Sequence, residues 1–247
     1  ARMRLLLILN SKNVTVDGIF VRDPGSWNTH ILYSGNITLR NIKMLNDIDL
    51  SNTDGFDPDA SENVLIENCF AYCSDDNVAI KTTGSSGYLR NAENITVRSC
   101  LFLTKKSSLK VGTESRGDVM KNLLFENNDV VESDRGLSLY CSDGATFQSI
   151  RFINNRFEDN FPDAKQCGIN FTITRRNQES RIGIMSDILI KNCEFLHRFP
   201  KASEISGFDN GHKIDLTIEN LIIEGIKCKN TDEADIKTKG FENIVFK

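Results

Sequence analysis

A nine-residue pattern recurs along the chain and limits the folds that it can adopt. Its second and fourth positions are mostly Val, Ile, Leu or Phe, which is the period of a strand with one buried face. Copies that recur every 23 to 38 residues are typical of a solenoid, in which each coil contacts only its neighbours. Eight copies start at Asn13, Asn36, Asn63, Asn94, Asn122, Ser149, Asp187 and Asp215, and a partial ninth starts at Asn243.

The sixth position of the pattern predicts a tight corner between strands. Asn tolerates the left-handed backbone conformation of such a corner, and its side-chain amide can hydrogen-bond along a stack of coils. The seventh position is mostly apolar, so the cysteines found there are expected to point into the core. We therefore predict an all-β, right-handed parallel β-helix with an Asn ladder, as a single domain over residues 1–247. The sixth-position residues are Gly18, Asn41, Asn68, Ser99, Asn127, Asn154, Asn192 and Asn220.

Composition excludes several classes of protein. The 247 residues carry a net charge of −4 with both signs interspersed, which argues against a nucleic-acid partner. No apolar run approaches the ~20 residues that cross a bilayer, and the run from Leu5 to Leu9 is interpreted as a buried strand. The seven cysteines lack zinc-site spacing, so we expect neither metal nor cofactor. Solenoids need capped ends, and this leaves open whether N-terminal coils or a cap are missing.

Residues 52–81, NTDGFDPDASENVLIENCFAYCSDDNVAIK, concentrate carboxylates within a segment that otherwise has the pattern of strands. Asp54 precedes Asp75 and Asp76 by slightly less than one coil, and stacked coils lie about 4.8 Å apart, so the three should meet on one wall. Repulsion would then raise at least one pKa and place a protonated acid beside an ionised base, as glycosidic hydrolysis requires. Asp57 and Asp59 are interpreted as turn residues, with a calcium site as the alternative.

The same stretch resembles the signature of glycoside hydrolase family 28, the polygalacturonase group. In that family, NTDG is followed by DDCVAIK on a right-handed parallel β-helix, and here NTDG is followed by DDNVAIK. The resemblance implies that Asp75 is the general acid, that Asp54 and Asp76 hold and deprotonate water, and that the anomeric centre is inverted. It also implies that Asn52 and Lys81 shape the substrate groove.

The segment DPGSWNTHI is similar to a second motif of that family, of form SPxWxxH. Its Trp27 is a candidate for stacking on a sugar ring, with capping of a coil as the alternative. Its His30 is interpreted as a structural or groove-lining residue. Both are therefore included among the substrate-binding candidates.

The sequence departs from the family where the substrate carboxylate is recognised. Ser107 takes the place of the His in the family's GHG element, and Ser138 and Tyr140 take the places of the Arg and Lys in its RIK element. An Arg–carboxylate pair is a strong and directional contact, so its loss leaves a neutral substrate open. The related dextranase-like family 49 shares the three-Asp arrangement and acts on neutral α-glucans. Arg116, Arg135, Arg175 and Arg176 could compensate from neighbouring loops, Glu114 is a candidate for an additional carboxylate on the same wall, and Tyr140 is a candidate for lining the groove.

The expected function is an inverting glycoside hydrolase that cleaves a polysaccharide or oligosaccharide, pectin-type or related. Two alternatives use the same fold: a polysaccharide lyase, which needs calcium, and a non-catalytic carbohydrate-binding β-helix. A neutral α-glucan or a galactoside is the alternative substrate. We expect a monomer without nucleic-acid or membrane partners, and the substrate class suggests a secreted or periplasmic protein.

Overall fold

The computed structural model describes residues 2–84, 87–161 and 164–247, which form 27 strands in three nine-stranded sheets. These ranges contain no helix that is long and apolar enough to cross a membrane. Successive strands pass from one sheet to the next, and each strand pairs in parallel with its counterpart in the neighbouring coil. Among the described strands the one antiparallel pair is the last in the third sheet. The predicted right-handed parallel β-helix is confirmed.

Sheet 1 carries the acidic segment. Its strands, in spatial order, are β1 (Leu6–Leu9), β4 (Thr29–Leu32), β7 (Phe56–Asp59), β10 (Val78–Thr82), β13 (Ser107–Ser115), β16 (Arg135–Cys141), β19 (Ile169–Ile173), β22 (Ser203–Ser206) and β26 (Ile236–Thr238).

Sheet 2 contains the repeated nine-residue pattern. Its strands are β2 (Lys12–Asp17), β5 (Gly35–Arg40), β8 (Glu62–Glu67), β11 (Ala92–Arg98), β14 (Val119–Glu126), β17 (Thr146–Ile153), β20 (Ile184–Lys191), β23 (Ile214–Glu219) and β27 (Glu242–Phe246). Sheet 3 comprises β3 (Phe20–Arg22), β6 (Lys43–Leu45), β9 (Phe70–Cys73), β12 (Leu101–Thr104), β15 (Asp129–Ser133), β18 (Arg156–Asn160), β21 (Glu194–Phe195), β24 (Ile222–Ile223) and β25 (Ile226–Lys227).

Equivalent inward side chains stack along the axis and form one continuous core. The rings of Phe125 and Phe152 stack with centroids 5.0 Å apart, and those of Phe157 and Phe195 stack at 4.4 Å. All seven cysteines are free thiols and buried, and the three at the seventh position, Cys69, Cys100 and Cys193, belong to the core as expected. The run from Leu5 to Leu9 does contain a strand, β1, but the prediction that this strand is buried is wrong. Leu7 lies on the outer face of sheet 1, opposite His30, and is 47% exposed.

The Asn ladder forms at the corner that follows each strand of sheet 2. All six sixth-position Asn residues have φ between +51° and +55°, the conformation that the corner requires. The last four of them form a continuous ladder: Asn154 donates to Asn127 at 3.0 Å, Asn192 to Asn154 at 3.0 Å, and Asn220 to Asn192 at 3.1 Å. The ladder is confirmed by these bonds.

A second ladder, not anticipated from the sequence, follows the first position of the pattern. Five Asn residues there also have positive φ, and each of the last four donates its amide to the Asn of the preceding coil at 3.0 to 3.1 Å. The signal was present in the sequence, since most copies begin with Asn, but it served only to mark the start of a copy. The residues of this ladder are Asn13, Asn36, Asn63, Asn94 and Asn122.

Candidate active site

The three predicted catalytic carboxylates meet where two neighbouring strands of sheet 1 begin. Asp54 lies two residues before β7, and Asp75 and Asp76 lie three and two residues before β10. Backbone pairing holds the two coils in register, with the Gly55 amide donating to the Asp76 carbonyl at 2.8 Å. One carboxylate oxygen from each of the three residues lies within 4.8 Å of the others. Two oxygens at such a separation can share one water, because each hydrogen bond spans about 2.7 Å.

Lys81 lies behind this cluster. Its ammonium group is 2.8 Å from Asp57 Oδ1 and 3.4 Å from Asp54 Oδ2, and its side chain is 4% exposed. The same group lies 3.5 Å from the ring centroid of Trp27, a cation–π contact. Lys81 was predicted to shape the substrate groove, but in the structure it compensates buried carboxylates instead. Trp27 is half-buried and contacts this cation.

Asp57 and Asp59 are not turn residues, and this interpretation is wrong. Both lie in β7 and are fully buried, because the adjacent coils supply partners for their carboxylates. Asp59 accepts hydrogen bonds from the backbone and hydroxyl of Thr83, at 2.8 and 2.6 Å, and lies 3.1 Å from His30 Nε2. His30 is 1% exposed and its ring packs edge-on against Trp27, so it does not face a substrate groove. These contacts support a structural role for His30.

Lys110 is a functional candidate that sequence reasoning missed. It lies in β13, one coil beyond the Asp pair, and its Nζ is 2.5 Å from Asp76 Oδ2. The backbone amide of Ser107 donates to the other oxygen of Asp76 at 3.1 Å, so this carboxylate has a donor on both oxygens. The alternation of Lys110 with the buried residues Leu109 and Val111 could have revealed it, since it places the lysine on the outer face next to the acids.

These contacts give the three carboxylates different proton affinities. Burial raises the pKa of Asp54 well above its usual range, with repulsion by Asp57 adding to the effect. Burial and the charge of Asp76 raise the pKa of Asp75 as well. Burial alone would raise the pKa of Asp76, but the charge and hydrogen bond of Lys110 outweigh it, and the pKa of Asp76 is lowered. Asp75 therefore keeps its proton to a higher pH than the neighbouring Asp76.

The raised pKa of Asp54 differs from the expectation that Asp54 and Asp76 both act as bases. Asp54 Oδ1 is buried and has no hydrogen-bond partner among the described residues. A carboxyl group with a raised pKa keeps its proton to a higher pH, and in that form it can donate as well as accept a hydrogen bond.

Two further candidates lie on the next coil. The guanidinium of Arg135 is 3.1 Å from Asp134 Oδ2 and donates to Ser107 Oγ at 3.4 Å. Tyr140 is half-buried, with its ring centroid 5.8 Å from Lys110 Nζ. Ser107, which stands where the family has His, is fully buried and contacts the cluster through its backbone.

The remaining candidates lie at the edges of the cluster. Asn52 is exposed in the turn before Asp54, with φ of +57°. Glu114 and Arg116 lie at the opposite end of β13 from the aspartates. Arg116 is exposed and donates to the Thr83 carbonyl at 3.4 Å, whereas Glu114 is close enough to interact electrostatically with Lys81.

Comparison with known proteins supports the family resemblance that the sequence motifs indicate. The sequence model of the glycosyl hydrolases family 28 matches residues 2–231. A probable polygalacturonase of Vitis vinifera is 26% identical over 142 residues, which cover 56% of this chain and 29% of that protein. A polygalacturonase of Saccharomyces cerevisiae is 35% identical over 111 residues, which cover 42% of this chain and 27% of that protein.

Solved structures show the same fold. The polygalacturonase from Erwinia carotovora ssp. carotovora superposes with a TM-score of 0.78 at 20% identity, covering 98% of this chain and 59% of that one. The chain thus spans less than a third of the length of the two curated relatives and little more than half of this structural neighbour.

Proposed function

Because the chain belongs to glycosyl hydrolase family 28, we propose that it hydrolyses an O-glycosidic bond in a polysaccharide or oligosaccharide of pectin type. The observation that carries this proposal is that two adjacent carboxylates have different surroundings and pKa shifts of opposite direction. Lys110 binds Asp76 directly, whereas Asp75 is left with a raised pKa. One acid and one base side by side are the groups that glycosidic hydrolysis needs.

In this mechanism Asp75 protonates the leaving glycosidic oxygen. Asp76 accepts a proton from the attacking water, and Asp54 orients that water through its unpartnered oxygen. A single displacement by water inverts the anomeric centre. Inverting enzymes hold their carboxyl groups about 6.5–9.5 Å apart, whereas the 4.8 Å limit here concerns the nearest oxygens, between which a bridging water fits. The product anomer is therefore the decisive test of inversion.

The pectin-type substrate is supported by the names of the relatives, which are polygalacturonases. A neutral substrate is the second candidate, because Ser138 and Tyr140 stand where the family has a carboxylate-binding Arg and Lys. This alternative includes α-glucans, as in the dextranase-like family 49, and galactosides. We also propose that the protein is a secreted or periplasmic monomer, which is consistent with either substrate.

A lyase is the alternative reaction on this fold. Its calcium-bound uronate would need a cation site, and the three aspartates are close enough to receive a divalent ion. A lyase would lose activity in the presence of a chelator, whereas the proposed hydrolase keeps its rate. A carbohydrate-binding β-helix without activity would bind glycan and cleave none of the substrates.

The test compares the wild type with Asp75→Asn on polygalacturonate, an α-glucan and a galactan. We expect hydrolysis of one of them and a loss of about 10²- to 10⁴-fold in the variant, the contribution typical of a general acid. Asp118→Asn, at a site 79% exposed, is the matched control and should keep full activity. If the wild type and Asp75→Asn are equally inactive while both still bind glycan, the proposal that the protein is an enzyme is refuted. Proton NMR of the first product anomer would refute inversion if the configuration is retained.

A further inference from the structure

Two cysteines lie beside each other in adjacent coils, at the seventh position of consecutive copies of the repeat. The copy that starts at Asn63 contributes Cys69, and the copy that starts at Asn94 contributes Cys100. The Leu101 amide donates to the Cys69 carbonyl at 2.9 Å, which holds the two coils in register at this point. Stacked coils lie about 4.8 Å apart, and disulfides join Cα atoms that are about 4.4–6.8 Å apart. The backbone therefore places the two cysteines within the range of a disulfide.

The two thiol groups also contact each other. The backbone amide of Cys69 donates to Cys100 Sγ at 3.4 Å, and the two thiols lie within hydrogen-bonding reach. The hydrogen bond with the Cys100 thiol lowers the pKa of Cys69, whereas burial raises the pKa of Cys100 well above its usual range. Cys69 is therefore the thiol that loses its proton first, and Cys100 is the neighbouring thiol that can react with it next.

A groove reaches this pair where the corner ladder is interrupted. Ser99 stands at the sixth position, where most copies have Asn. Neither its side chain nor that of Asn68 hydrogen-bonds to any residue that the structure describes. An open groove of about 670 Å³ borders this corner, and Cys69 and Cys100 form part of its wall, where each is 3% exposed. A small molecule can therefore approach the two thiols from outside the core.

Cys193 occupies the same position of its own copy, and its surroundings are different. The ladder is continuous there, since Asn192 donates to Asn154 and accepts from Asn220. The side chain that contacts its sulfur from the adjacent coil is the amide of Asn155, at 3.9 Å. Cys193 is fully buried, and burial raises its pKa to about 11. It therefore serves as an internal reference for a seventh-position thiol that is covered.

We propose that Cys69 and Cys100 form a redox-active pair that closes to a disulfide by exchange with a small-molecule disulfide. The Cys69 thiolate attacks one sulfur of that disulfide, and one of its two halves leaves as a thiolate. Cys100 then loses its proton, attacks the Cys69 sulfur and releases the second half. Two electrons pass from the protein to the small molecule, and the two protons of the protein thiols end on the two small thiols. A small thiol reopens the bridge by the reverse exchange.

The bridge joins the two coils that meet at the acidic cluster. The chain leads from Cys69 through β9 to Asp75 and Asp76, and from Cys100 through β12 to Lys110. Oxidation therefore fastens the coil of the two carboxylates to the coil of the lysine that contacts Asp76. Because a cross-link restricts the unfolded chain, the oxidised protein should unfold at a higher temperature. The inference concerns a different face of the molecule from the proposed function and does not depend on it.

The test incubates the folded wild type with glutathione disulfide and counts the free thiols after denaturation. We expect the count to fall by two from seven, and peptide mapping by mass spectrometry to find one cross-link, between Cys69 and Cys100. The melting temperature should rise by about 5–10 °C and return to its first value after reduction with glutathione. None of these measurements involves glycan hydrolysis, so a protein without that activity can still give the expected result.

Serine variants assign the roles of the two sulfurs. In Cys100→Ser, the exchange should stop at a mixed disulfide between Cys69 and glutathione, because no second thiol releases it. In Cys69→Ser, Cys100 should remain a thiol, because its raised pKa keeps it protonated. Cys193→Ser is the matched control and should form the bridge as the wild type does. Seven unreacted thiols in the wild type would overturn the inference, as would a cross-link between any other pair or a bridge that leaves the melting temperature unchanged.

Discussion

The corner ladders and the acidic cluster are both stacks of similar polar residues in adjacent coils, yet they are held together differently. In the ladders, each Asn donates to one neighbour and accepts from the other, so identical side chains satisfy one another along the stack. Ionised carboxylates only accept hydrogen bonds, and stacked carboxylates repel. The cluster therefore needs Lys81 on one side and Lys110 on the other.

The two regions also differ in what they leave unsatisfied. The amides of the ladder are bonded, whereas Asp54 Oδ1 and His30 Nδ1 are buried without a hydrogen-bond partner among the described residues. Buried polar atoms without partners are costly and rare in folded proteins. The repeat thus marks where polar side chains satisfy one another, whereas the acidic region, which departs from the repeat, contains buried polar atoms without such partners.

Removing Lys81 from the acidic cluster should have the largest effect on stability. Lys81→Met leaves Asp54 and Asp57 buried without their cation, and we expect a loss of about 3–5 kcal/mol in the free energy of unfolding, as for a broken buried ion pair. Denaturant unfolding at neutral pH measures it. The loss should shrink at acid pH, because the two carboxylates can then be neutralised by protonation.

An exposed ion pair is the control for this variant. Lys191 is 2.9 Å from Glu219 and 45% exposed, so Lys191→Met should cost less than about 1 kcal/mol. A loss of similar size in both variants would mean that Lys81 does not compensate buried charge.

Breaking the Asn ladder should have a smaller effect. Asn154→Ala removes the amide that bonds to Asn127 and Asn192 and places a Cβ-bearing residue without a local hydrogen bond at φ of +55°. We expect a loss of about 2–3 kcal/mol, from the hydrogen bonds and the left-handed conformation together. Asn154→Gly removes the same amide but tolerates positive φ, so its loss of unfolding free energy should be about 1 kcal/mol smaller. Equal losses in the two variants would contradict the left-handed corner.

The sequence predicts the ladder region better than the acidic region, for a physical reason. Periodicity reports features that every coil shares, which is why the sheets, the corners and the sixth-position Asn residues were predicted. Asp57 and Asp59 were misread because DPD has the composition of a turn, and only the adjacent coils show that Thr83 and His30 meet Asp59 in a strand.

Lys110 was missed for a related reason. Its partner Asp76 lies 34 residues away, and no short motif joins them. The motif around Asp54 and Asp75 predicts which carboxylates meet, but it does not predict their charges. Those depend on burial and on lysines from other coils, so the assignment of the ionised base needed the three-dimensional structure.

The central claim is that Lys110 keeps Asp76 ionised beside a protonated Asp75, and a pH–rate profile tests it directly. Lys110 lowers the pKa of both carboxylates, so Lys110→Met should raise both. The rate falls on the acidic side when the base is protonated and on the basic side when the acid loses its proton. Both limbs should therefore move to higher pH in Lys110→Met, and Lys110→Arg, which keeps the charge, should restore them towards the wild-type positions. An acidic limb that stays in place in Lys110→Met, whatever the change in rate, would contradict the account.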